Sequence, residues 1–312
     1  MLAVPVTALP TEPGWAFEPK WDGYRGIGLA GAGQLRITSR RGNDMAPWFP
    51  ELAGLADALG DHQALVDGEL VALDPQGRPD FGALQQRMRR RRTTAGGRRP
   101  AGRPAGTLPV VYMVFDLLGL DGRLLLERPW TERRQRLEAL ELAGPAWQTT
   151  PSFVDQGAQV WAATGQQGLE GVVAKRLNSR YQPGRRHPDW RKRSHEHHGV
   201  FVVGGFVPGP AGVDLLLVGT PTADGRLRHL ASVQAGLVPA TRGRLARLLA
   251  PLRTGSSPFD GPVGAGPWAG RTASTKRPVW VRAELQVVIA YRGLEGGQLR
   301  HPSYAGLYHP PL

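Results

Sequence analysis

Residues 18–26, EPKWDGYRG, hold one of only four lysines in a chain that otherwise draws its 39 basic side chains from arginine. A guanidinium is a permanent cation and grips phosphate well, but it keeps its proton and does not attack. A lysine amine in suitable surroundings can form a bond. Lys20 lies between Phe17, Trp21 and Tyr24, just ahead of Asp22-Gly23, where two apolar runs meet. Read alone, the nine residues fit an exposed lysine in a turn equally well. The other lysines, Lys175, Lys192 and Lys276, raise the same question.

Composition narrows the field. The 312 residues suffice for one large or two ordinary domains, and 41% hydrophobic residues can fill real cores. No cysteine is present, which excludes disulfides, thiolate catalysis and Cys-ligated metal sites. No window approaches a membrane span, and the first residues lack the basic start of a signal peptide, so a cytoplasmic setting is expected. The net charge of +13 points to a polyanionic partner.

Strand-like runs bounded by Gly, Pro and Asp lie at 15–21, 25–30, 34–40, 64–73 and 109–120. Helical patterns lie at 48–60, 131–143 and 160–168, with Thr131 expected as the N-cap of the second. Interleaving without strict alternation predicts an α+β fold with antiparallel sheets. Residues 87–107 carry eight arginines and no acid, and read as a mobile basic loop, either a solvated linker or a strap for phosphates. The SHEHHG stretch at 194–199 lacks an i, i+4 histidine pair and reads as a polar linker rather than a metal site. Beyond it, short strands with one helix at 240–252 suit a small β-barrel of the OB type.

Further stretches place lysines and carboxylates at strand ends. VDGELV sets Asp67 and Glu69 on one strand face, because side chains repeat every two residues. EGVVAK runs from Glu170 to Lys175, and DWRK supplies Lys192 after Trp190.

The ordered set EPKWDGYR, SRRGND, VDGELV, YMVFDLL, EGVVAK and DWRK resembles the six nucleotidyltransferase motifs of ATP-dependent DNA ligases. WVRAELQVVIAYRG and GQLRHPSYAGL resemble the ending of bacterial ligases of the end-joining and repair type. The resemblance implies an ATP-grasp-like ligase (nucleotidyltransferase, or adenylation) domain over 1–195 and an OB-fold domain over 199–312. Lys20 would attack the α-phosphate of ATP and form lysyl-AMP. Glu18 would contact the adenine and Phe115 would stack on it. Arg25 and Arg40 would hold the ribose or the 5′-phosphate of a nick, and Glu69 the ribose or the metal site. Glu170 would ligate Mg²⁺, with Mn²⁺ as an alternative. Lys175, Lys192 and Arg186 would surround the phosphates. Nicked double-stranded DNA is the implied partner of a monomeric enzyme, with Ku or a repair polymerase as candidate protein partners.

Two departures stand out. Ser194 occupies the place of a second cation after Lys192, for which Arg193 is a candidate substitute, and the chain ends without the expected basic residues. Two rival readings stay open: an RNA ligase or capping guanylyltransferase of the same superfamily, and a non-catalytic DNA-binding protein that keeps the fold.

Overall fold

The computed structural model describes residues 1–93, 108–261, 263 and 277–309. The chain forms two compact units, Met1–His195 and Glu196–Leu312. In chain order the first contains β1 (Leu2–Pro5), β2 (Trp15–Lys20), β3 (Tyr24–Gly31), β4 (Gln34–Ser39), α1 (Leu55–Ala58), β5 (Ala64–Ala72), α2 (Phe81–Thr93) and β6 (Val110–Leu120). It continues with β7 (Arg123–Leu124), α3 (Trp130–Glu138), β8 (Trp147–Thr149), β9 (Phe153–Val154), α4 (Gly157–Gln166), β10 (Gly171–Arg176) and β11 (Arg186–Ser194).

Two sheets result. One has the order β1-β11-β10-β2-β9, antiparallel except for the β1–β11 pair. The other runs β4-β3-β5-β6-β7, with β8 added in parallel to β6. In the first sheet Trp15, Phe17, Val172 and Ala174 pack with Val160 of α4. The alternate residues are thereby left to the opposite face. The second sheet buries Ile37, Leu70, Tyr112 and Val114 with Phe49, Leu52, Leu84 and Leu137.

Three local expectations change. The arginine-rich stretch does not begin as a loop, because α2 continues to Thr93. The Asp80 carboxylate accepts from the Ala83 amide at 2.9 Å, and Leu, Gln, Met and Arg all propagate a helix well. Arg87 is buried over Phe49, with Nη1 and Nη2 donating to Glu51 at 2.6 and 2.7 Å. Residues 94–107 of the stretch, Lys276 and the last three residues lie outside the described residues. The helix expected at 131–143 starts earlier, at Trp130, with Pro129 at the cap and Thr131 inside the first turn. Residues 46–52 form two tight turns rather than a long helix, since Pro47 and Pro50 interrupt the hydrogen-bond ladder.

The second unit contains β12 (His197–Gly209), β13 (Gly212–Pro221), β14 (Leu227–Val233), α5 (Pro239–Leu249), β15 (Arg253–Thr254), β16 (Val279–Val281), β17 (Gln286–Tyr291), β18 (Leu294–Glu295), β19 (Gln298–Leu299) and β20 (Ser303–Leu307). Its main sheet runs β14-β13-β12-β16-β15, and β17 pairs with both β12 and β20. Val203, Phe206, Leu216, Val218 and Ile289 form its core with Leu245 and Leu249 of α5. Only His195 and Glu196 separate β11 from β12. Among the described residues no group of three or more His, Asp or Glu is placed to hold a metal, and no helix is long and apolar enough to cross a membrane.

Candidate active site

Strand register gathers the scarce lysines. β10 pairs Gly171 with Lys20, Val173 with Glu18 and Lys175 with Ala16 of β2. On its other side β10 pairs Gly171 with Ser194, Val173 with Lys192 and Lys175 with Trp190 of β11. Directly paired residues share a face, so Glu18, Lys20, Lys175, Trp190, Lys192 and Ser194 lie on one side of the sheet. The other side packs on α4. Arg193 belongs to that other side, where its guanidinium lies 3.8 Å from the Trp161 ring centroid. It therefore does not take the place of the missing cation at Ser194.

Gly171 makes the middle of this arrangement possible. Its φ of +152° suits glycine, and a Cβ there would come within 2.1 Å of the Arg193 carbonyl oxygen. Lys20 Nζ, next to this gap, donates to Glu170 Oε2 at the strand's start.

Glu18 and Lys175 form a buried pair. Lys175 Nζ lies 2.7 Å from Glu18 Oε2 and donates to the Phe115 carbonyl at 2.8 Å. Its ammonium also stands over Phe115 and Trp190, 4.6 and 4.4 Å from the ring centroids. Burial pushes the Glu18 carboxyl up, against the pull of Lys175 and Arg134, and pushes the Lys175 ammonium down, against Glu18. Glu18 Oε1 has no hydrogen-bond partner among the described residues.

The second sheet supplies the facing wall. β3 and β5 pair Arg25 with Glu69 and Ile27 with Asp67. Arg25 donates through Nε and Nη2 to Asp67 at 2.9 and 2.5 Å, and the Tyr181 hydroxyl donates to the same carboxylate at 2.7 Å. Burial pushes the Glu69 carboxyl up to about 8, with Lys20 and Arg25 opposing and Asp67 and Glu170 adding to the rise. Phe115 reaches the site through an irregularity: Asp67 pairs with Asp116 but Gly68 with Val114, so Phe115 is the extra residue of a bulge. Bulges of this kind re-aim a side chain.

A cleft of roughly 210 Å³ results, lined by Glu18, Lys20, Arg25, Arg40, Glu69, Phe115, Lys175, Arg186 and Lys192, together with Trp21 and Trp190. Every expected site residue except Glu170 is on that wall, and Glu170 is tied to Lys20. Arg186 donates from Nη1 to the Ala3 carbonyl. The sequence motifs assign no role to Asp67, Tyr181 or Arg134. Asp67 was visible as the same-face neighbour of Glu69, but its partners are 42 and 114 residues away in sequence.

Comparison with known proteins gives a consistent picture. A family profile described as "ATP dependent DNA ligase domain" matches residues 1–193, and one described as "ATP dependent DNA ligase C terminal region" matches 210–309. The chain is 39% identical over 299 residues to the multifunctional non-homologous end joining DNA repair protein LigD of Mycobacterium tuberculosis, covering 94% of this chain and 36% of that protein. It thus spans about a third of the length of the LigD relatives. It is 32% identical to DNA ligase C of the same organism, over 99% of this chain and 89% of that one. A solved structure of mycobacterial DNA ligase D complexed with ATP and MES matches with a TM-score of 0.53 and 36% identity, covering 99% of this chain and 96% of that chain.

Proposed function

Since this chain belongs to the ATP-dependent DNA ligase family, we propose that it seals nicks in duplex DNA through a lysyl-AMP intermediate on Lys20. The observation that carries this reading is the shared sheet face of Glu18, Lys20, Lys175 and Lys192 opposite Arg25 and Glu69.

Lys20 Nζ attacks the α-phosphorus of ATP, a P–N bond forms and pyrophosphate leaves. The 5′-phosphate at the nick then takes the AMP, and the adjacent 3′-hydroxyl displaces it to close the strand. Lys192, Arg40 and Arg186 supply fixed positive charge along the path of the phosphates, which favours the charge that develops there. The buried, unpartnered Glu18 Oε1 fits the exocyclic amine of adenine, and Phe115 and Trp190 offer ring faces nearby. Lys175, expected among the phosphates, is instead buried and committed to Glu18 Oε2 and the Phe115 carbonyl, and it holds Glu18 in place. Glu170 and Glu69 are a carboxylate set of the kind Mg²⁺ uses, one or two protein oxygens with phosphate completing the shell. When bound, the metal would neutralise phosphate charge.

Residues 1–195 act as the adenylation domain in this reading and residues 199–312 as an OB-fold that helps to hold DNA. Service in end joining is supported by the LigD likeness; Ku or a repair polymerase is the partner proposed for it, in the bacterial cytosol. The deciding experiment is mass spectrometry of the protein before and after incubation with ATP, beside Lys20→Ala on a nicked duplex. An AMP adduct at Lys20 and loss of sealing in the variant are expected. Equal sealing by both proteins would refute the mechanism.

A further inference from the structure

Two consecutive arginines on α3 are buried, and they are used differently. Arg133 is saturated: Nε and Nη2 donate to Asp116 at 2.8 and 2.9 Å, and Nη1 donates to the carbonyls of Arg128 and Ser179 at 2.7 and 3.0 Å. Its role is architectural. Arg134 donates from Nε to Glu138 at 2.6 Å, but its buried Nη1 has no hydrogen-bond partner among the described residues. That nitrogen lies 3.7 Å from Glu18 Oε1, which is also buried and unpartnered. Leaving two such groups unsatisfied is costly, so their juxtaposition calls for a reason.

We propose that Arg134 is a positioning residue for nucleobase choice, holding Glu18 ionised with Oε1 available as an acceptor. The proposal rests on the reading of Glu18 as the adenine contact. An ionised carboxylate can only accept, which matches the 6-amino group of adenine and repels the 6-oxo group of guanine. A protonated Glu18 could donate to that oxo group and would lose the distinction. Burial pushes the Glu18 carboxyl up and Asp116 from β6 adds to the rise, while Lys175 from β10 and Arg134 from α3 oppose it by favouring the charge. Lys175 is committed to Oε2. Arg134 is the cation on the side of the free oxygen.

The test compares labelling of the protein by α-labelled ATP and by α-labelled GTP in single turnovers across pH. Arg134→Met is expected to lower the ATP-to-GTP ratio by about tenfold or more, with the larger loss at low pH, and Arg134→Lys to restore most of it. A ratio equal to wild type in Arg134→Met at every pH would overturn the proposal, whatever happened to the rate. If Arg134→Met fails to fold because Glu18 is left unpaired, the double variant Glu18→Gln/Arg134→Met removes both charges and is compared with Glu18→Gln. Equal ratios in those two support coupling through Glu18. A further fall in the double variant would show that Arg134 acts independently, against the proposal. Purine riboside triphosphate, which lacks the 6-amino group, separates the premises. If wild type uses it as well as ATP, the adenine contact itself is wrong, and wild type that takes no label from any nucleotide would sink the ligase reading instead.

Discussion

Arg25 and Asp67 meet through two hydrogen bonds, of 2.9 and 2.5 Å, with the aspartate fully buried and the arginine side chain 26% exposed. The guanidinium edge expected to grip a nucleotide or nick phosphate is therefore already occupied on one side. Asp67 fixes where the remaining Nη1 points.

That pair predicts the cost of its loss. Asp67→Asn keeps the shape but removes the charge opposite Arg25 and weakens the acceptor for Tyr181. Removing one partner of a buried pair costs several kcal/mol, and the partial exposure of Arg25 reduces this to about 3 kcal/mol. Urea unfolding measures it, and a loss below about 1 kcal/mol would show that the pair behaves like a surface contact.

Glu69 makes stability depend on pH in a definite direction. The folded protein holds a proton there up to about pH 8, whereas the unfolded chain releases it near the ordinary 4.5. Between those values the folded state binds more protons, so this group's contribution to stability falls as pH rises through the window and stays low above it. Glu69→Gln cannot ionise. It is expected to melt clearly above wild type at pH ~8 and close to wild type at pH ~4.5. A difference independent of pH would contradict the assignment.

Gly171→Ala should be severe. The added Cβ meets backbone rather than a flexible side chain, 2.1 Å from the Arg193 carbonyl oxygen and 2.7 Å from the Ser194 Cα. Either β10 and β11 part at this row or the protein fails to fold, and Lys20 labelling is lost in both cases. Near-normal labelling with an unchanged melting temperature would mean that the row tolerates a methyl group.

Ser194 and Arg193 give opposite expectations although they are neighbours. Ser194 shares the row of Lys20 and Gly171, so Ser194→Lys adds a cation to the reacting face and should speed single-turnover labelling of Lys20. Arg193→Ala removes only the stacking on Trp161, worth about 0.5–1 kcal/mol, and should leave labelling within about threefold of wild type. Rapid-quench measurement decides both, and a stronger kinetic effect from Arg193 than from Ser194 would reverse the assignment of faces.

The strands were legible where alternation was clear. The runs at 15–21, 25–30 and 109–120 correspond to β2, β3 and β6, and the expected site residues do converge. What the sequence hid was pairing over distance. Arg25 gives no sign of meeting Asp67, nor Lys175 of meeting Glu18, because register across a sheet depends on intervening turns and cores. The bulge that turns Phe115 inward is a one-residue offset between two apolar strands, and no composition marks it. The start of the arginine stretch misled because arginine signals solvent by charge, yet it is a good helix former and Arg87 is paired underneath.

The three-strand row system has a consequence for errors. Odd residues of β10 face the cleft with Lys175, and even ones, Val172 and Ala174, face α4. A slip of that strand by one position would turn the lysine into the apolar layer and bring alanine and valine to the cleft. On the proposed mechanism, catalytic competence is thus a matter of parity. A misregistered chain would be blank rather than sluggish, and any population that labelled at all would have its central strand threaded in the correct phase.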